Sequence, residues 1–123
     1  SQICEDEKLL STLHHYKNMI VTFDKEYLKE LYESGKSKDK KHRFQPEIVK
    51  RYKRCIDYLK WASSKEALFP INSLRFEALE GDKRGMFSVS VNDKYRIEFT
   101  LNETAEESSL TICNIVELSN HYD

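Results

Sequence analysis

No run of apolar residues in this 123-residue chain approaches the roughly 20 that a membrane-spanning helix needs, so no membrane partner is expected. The opening Ser1-Gln2-Ile3-Cys4-Glu5-Asp6-Glu7 is acidic where a secretory signal is basic and then apolar. Both absences point to a soluble protein that stays in the cytoplasm. Cysteine is scarce: Cys4, Cys55 and Cys113 are odd in number, widely spaced and without a C-x-x-C pair. That excludes a disulfide framework and a zinc site as expectations. Cys55 and Cys113 fall inside apolar patterns and read as buried thiols, as a reducing compartment allows. Adjacent His14 and His15 would point about 100° apart on a helix, too far to act as a metal pair. There is no internal repeat, no low-complexity tract and no sign of a second domain.

Positive charge is missing from one end. After Arg96 there is no Lys or Arg, while six acids follow (Glu98, Glu103, Glu106, Glu107, Glu117, Asp123). Between Lys36 and Arg54, in contrast, nine Lys or Arg stand against only Asp39 and Glu47. The net charge of −1 would not suggest a polyanionic partner, but a ligand feels the nearby charges, and this block does suggest one. The alternative is a merely solvated helix face.

The composition, 39% hydrophobic and 33% charged, is that of one globular domain able to bury its own core. Residues 1–18 look like an extension, with a possible short helix from Lys8 to Tyr16. A domain spanning 19–123 then starts at Met19 with the strand-like Ile20-Val21-Thr22-Phe23. Asp24 is a good N-cap for a helix to about Ser34 that buries Tyr27, Leu28, Leu31 and Tyr32, and Gly35 ends it. Lys36 to Arg43 is a basic loop, and Pro46 suits the first turn of a second helix. There Ile48, Val49, Tyr52, Cys55, Ile56 and Leu59 recur at helical spacing, leaving Lys50, Arg51, Lys53, Arg54 and Lys60 on the other face.

From Leu74 onward the period changes to two. Phe87, Val89 and Val91 alternate with Ser88 and Ser90, and Asn92-Asp93 makes a tight turn. Tyr95, Ile97, Phe99 and Leu101 line one face of the return strand, with Lys94, Arg96, Glu98 and Thr100 on the other. Residues 102–109 form an acidic connector. Leu110 to Leu118 is apolar on both faces and therefore reads as a central strand. Helices first and a meander afterward predict an α+β fold, with helices on one face of a small sheet.

The stretch Leu79-Glu80-Gly81-Asp82-Lys83-Arg84-Gly85-Met86-Phe87-Ser88-Val89-Ser90-Val91-Asn92-Asp93-Lys94-Tyr95-Arg96-Ile97-Glu98-Phe99 resembles HigB-like toxins of the RelE/ParE superfamily. Glu117-Leu118-Ser119-Asn120-His121-Tyr122 is similar to one of the family's C-terminal forms, and the likeness runs from about Met19 to Tyr122. The resemblance implies two N-terminal helices packed on a small antiparallel sheet. It also implies an endoribonuclease that cuts mRNA in the ribosomal A site without a metal or other cofactor. The implied partners are the ribosome with its mRNA, and a helix-turn-helix antitoxin of the HigA kind that silences the toxin. Two alternatives stay open: a ParE-type gyrase inhibitor with no enzymatic activity, and a decayed toxin that keeps only antitoxin binding.

RNA cleavage by its own 2′-hydroxyl needs a base, cations for the five-coordinate phosphorane and an acid for the leaving 5′-oxygen. Arg96, on the family's aromatic-Arg-Ile motif, is the expected phosphate contact, since a guanidinium holds two phosphate oxygens at once. His121 can move a proton near neutral pH, and Tyr122 can stack on a base. Lys83 and Arg84, in a turn bounded by Gly81 and Gly85, are expected to reach an RNA backbone. Lys50, Arg51, Lys53 and Arg54 would contact ribosomal RNA. Many relatives place His and Lys where this chain has Glu77 and Glu80. Glu80 is then either the general base or structural, with His121 taking the proton work, and the second fits better.

Overall fold

The computed structural model describes residues 19–103 and 111–120. The expected extension at 1–18, with its short helix and its two histidines, lies outside them, as do His121 and Tyr122. In chain order the elements are β1 (Ile20–Phe23), α1 (Glu26–Glu33), α2 (Pro46–Trp61), β2 (Glu77–Ala78), β3 (Phe87–Ser90), β4 (Tyr95–Glu103) and β5 (Thr111–Asn120), joined by short 3-10 turns. The class is α+β, as the change of period indicated. Among the described residues no helix is long and apolar enough to cross a membrane.

The five strands form one sheet in the order β1-β5-β4-β3-β2. It is mixed rather than wholly antiparallel. β1 runs parallel to β5, pairing Ile20 with Ile112 and Phe23 with Ile115, while the other neighbours are antiparallel. A parallel pair needs a long connection between its strands, and here both helices and the whole meander supply it. β5 therefore has a neighbour on each side, the central position its two-sided apolar pattern suggested.

Asp24 does not cap α1. Its N–H is spent on Ile115 O at 2.8 Å, which keeps it in the sheet, and Lys25 precedes the first helical residue without any side-chain cap. Gly35 does terminate the helix: at φ +82 its N–H reaches Glu30 O and Leu31 O, a left-handed position that suits a residue lacking Cβ. At the β3–β4 turn, the Asn92 side chain does the work that a glycine would otherwise do. Its Oδ1 accepts from the N–H groups of Lys94 (2.9 Å) and Tyr95 (2.8 Å).

The register decides what each sheet face carries. Val89, Ile97 and Leu118 are cross-strand neighbours, as are Phe87, Phe99 and Ile115. They bury one face against Leu28 and Leu31 of α1 and Tyr52, Ile56 and Leu59 of α2. The Tyr52 hydroxyl, deep in this core, donates to Leu28 O at 2.7 Å and ties the two helices together. A bulge between Glu98 and Phe99, opposite Val116, shifts the register so that Glu117 faces Glu98 and Ile115 faces Phe99. Ser88, Ser90, Arg96 and Glu98 consequently share the face away from the helices.

Burial pushes the thiols of Cys55 and Cys113 up to about 12. The folded chain thus holds these two protons more tightly than the unfolded chain, whose thiols titrate near about 8.5. Stability is unaffected by them at neutral pH and falls as pH rises above that value. With Cys4 replaced by Ser, iodoacetamide at pH 8 is expected to label the native chain far more slowly than the urea-unfolded chain. Equal rates in the two states would show that the helix–sheet core is open.

Candidate functional site

The sheet face away from α1 and α2 is polar because period-two alternation puts Ser88, Ser90, Arg96 and Glu98 there. Glu98 is its pivot. The carboxylate is only 2% exposed, in the middle of β4, and such a group requires charge partners. Lys83 supplies one from the turn before β3, with Nζ 3.0 Å from Oε1 and 2.8 Å from Oε2. Arg96 supplies the other, with Nε and Nη2 each 3.0 Å from Oε2.

Holding Arg96 by this edge leaves Nη1 turned toward β2. There it lies 4.0 Å from Glu77 Oε2, a carboxylate whose side chain is 59% exposed. Arg96 itself stays 23% exposed. It is neither locked inside the fold nor waving in solvent. Arg75, Glu77, Ser88, Ser90 and Arg96 line a cleft of about 210 Å³ at this point. The cleft therefore presents guanidinium groups, a carboxylate and two hydroxyls side by side, an arrangement able to bind an oxyanion and to accept a proton beside it. β5 pairs with the other edge of β4, with Ser119 opposite Arg96 and Asn120 opposite Tyr95.

This geometry can be set beside known proteins. Residues 21–111 match the family described as RelE-like toxin of type II toxin-antitoxin system HigB. The chain belongs to the HigB-like toxins. No curated protein matches it by sequence search. Among solved structures it is similar to the YoeB/ParE toxin from Agrobacterium tumefaciens, with a TM-score of 0.52 and 12% identity over 85% of this chain and 100% of that one. At that identity the likeness speaks to the fold alone. A HigB-like toxin belongs to a type II toxin–antitoxin pair, so an antitoxin is implied as its partner.

The expected site residues of this HigB-like toxin are dispersed. Arg96 is in the cleft. Of the two glutamates before the Gly-Asp pair, Glu77 lines it, whereas Glu80 is exposed beside the 3-10 turn Gly81–Lys83 and takes no part in the lining. β2 explains the difference: Glu77 pairs with Ser88, which puts it on the face of Arg96, and the strand stops at Ala78. Lys83 is not the free arm that its turn suggested, because Glu98 claims its ammonium. Arg84 beside it is exposed. Lys50, Arg51 and Arg54 are exposed on α2 and Lys53 is half-buried. That helix packs on the opposite sheet face, so the basic helix and the Arg96 cleft look out from different sides.

Of the five lining residues only Arg96 was an expected site member; Arg75, Glu77, Ser88 and Ser90 were not. Period two could have indicated Glu77, had the two-residue strand been recognised. Nothing in the pattern marked Arg75, whose left-handed backbone (φ 47, ψ 51) appears only in three dimensions.

Replacing Glu98 by Gln keeps the shape but removes the charge that two cations share. Loss of about 1–3 kcal/mol in urea unfolding is the expected result. Unchanged stability would mean that the ion cluster contributes nothing net to the fold.

Proposed function

We propose that this HigB-like toxin is a ribosome-dependent endoribonuclease that cleaves mRNA by attack of the 2′-hydroxyl, without a metal. The observation that carries the reading is the meeting of Arg96 and Glu77 in one open cleft. Glu77 is the candidate general base, in preference to Glu80, because only Glu77 stands beside the guanidinium. It takes the 2′-hydroxyl proton. The 2′-oxygen then bonds to phosphorus, forming a 2′,3′-cyclic phosphate, and the 5′-oxygen leaves. Arg96 neutralises the charge that builds up on the equatorial oxygens. It is already oriented by Glu98 and so loses little freedom when phosphate arrives.

His121, two residues beyond Ser119, is the candidate acid for the 5′-oxygen, and Tyr122 the candidate stacking partner for a base. Lys50, Arg51, Lys53 and Arg54 are assigned to ribosomal RNA, with Arg84 as a further backbone contact. Lys83 has a positioning role through Glu98. In this reading the toxin acts in the cytoplasm, and a HigA-like helix-turn-helix antitoxin silences it.

Arg96→Gln keeps a donor for Glu98 but removes the charge. In cell-free translation with a defined message, it should cut ~10²–10³-fold more slowly than wild type, the loss typical of removing one such stabilising donor. A fully potent Arg96→Gln overturns the assignment. Intact message with trapped gyrase–DNA complexes would favour a ParE-type inhibitor, and absence of growth arrest on expression without antitoxin a decayed toxin.

A further inference from the structure

We propose that Arg75 is a second phosphate-contacting residue of this cleft, held ready for RNA by a strained backbone. The inference rests on the nuclease reading above. Arg75 follows the 3-10 turn Asn72–Leu74 and adopts φ 47, ψ 51, the one non-glycine residue with positive φ among those described. A side chain with Cβ is disfavoured there, and Gly or Asn would take the position more easily.

The flanking residues leave the backbone no way to relax. Leu74 on one side is buried in the core. Phe76 on the other is set among Phe69, Phe87 and Phe99, with ring centroids 5.4, 5.5 and 6.2 Å away. Strain that persists because its surroundings impose it is characteristic of binding and catalytic positions. Nothing among the described residues rewards an arginine at this point. Its side chain is exposed and makes no hydrogen bond or ion pair with any described residue. It nevertheless lines the same cleft as Arg96.

Charge gives the arginine its reason. Arg96 and Lys83 are matched by Glu98 and Glu77, so without Arg75 the cleft and its supporting ions would be neutral. An RNA phosphate would then meet a carboxylate as readily as a cation. Arg75 tips the balance to positive, and its fork can hold phosphate oxygens while Arg96 remains tied to Glu98.

The test compares full-length wild type, Arg75→Gly and Arg75→Lys on ribosomes programmed with a defined message, alongside thermal unfolding of each. Glycine relieves the left-handed strain, so Arg75→Gly should unfold at the same or a higher temperature than wild type. It should nevertheless cleave at least ten-fold more slowly, and Arg75→Lys should recover part of the loss. Wild-type cleavage by Arg75→Gly overturns this inference and leaves the nuclease reading standing. So does a loss of activity that merely follows a lowered melting temperature. A wild-type chain that leaves the message intact overturns the nuclease reading and this inference together.

Discussion

A carboxylate withdrawn from water and left unpaired costs several kcal/mol, so the Glu98 side chain in the middle of β4 dictates where two cations must be. Lys83 is drawn in from its turn, and Arg96 is held along one edge of its guanidinium. The rest of the polar face follows from that anchoring. The free edge of Arg96 points to Glu77, the cleft forms between β2 and β4, and the turn bearing Lys83 is fixed against the sheet. A side chain gripped in this way can meet a ligand with little loss of rotamer entropy, which is how preorganisation favours binding.

The same need for partners resolves the uneven charge of the chain. Its final stretch is acidic and has no Lys or Arg of its own after Arg96, and the bulge in β4–β5 sets Glu98 directly across from Glu117. Like charges so placed repel. Each receives a cation from earlier in the chain, Glu98 from Lys83 and Arg96, Glu117 from Lys25. The basic block stays largely free for the outside. Its loop is still ordered: His42 stacks on Tyr27 at 3.6 Å while Asp39 accepts from Lys41 N and pairs with the imidazole. The Asp39 carboxyl is held below its usual range by the Lys41 N–H and then by His42. Cations are thus organised on the helix side as well as in the cleft.

The glutamate at position 77 sets a carboxylate beside the Arg96 guanidinium. A carboxylate can still accept a proton, but it also repels phosphate. The chain answers that repulsion with a guanidinium on the same rim, and Ser88 and Ser90 complete the lining with neutral donors.

Much of this protein could be read from residue order alone. The period-3.6 stripe from Ile48 to Leu59 and the period-two alternation from Phe87 to Leu101 define the helix and strands locally, since each face must be apolar to reach a core. The family could be read too, because its motif from Leu79 to Phe99 is contiguous. The place of Arg96 on the polar face was legible from the alternation. What residue order could not supply was pairing over distance. That β1 joins β5 in parallel, that Asp24 gives its N–H to Ile115 instead of capping a helix, and that Glu98 captures Lys83 all depend on groups brought together only by folding. Which of Glu77 and Glu80 lines the cleft turns on the register of a two-residue strand, and the left-handed backbone of Arg75 on packing at Leu74 and Phe76. Local patterns record which way a side chain must face. Only the assembled sheet determines which charge it finds there.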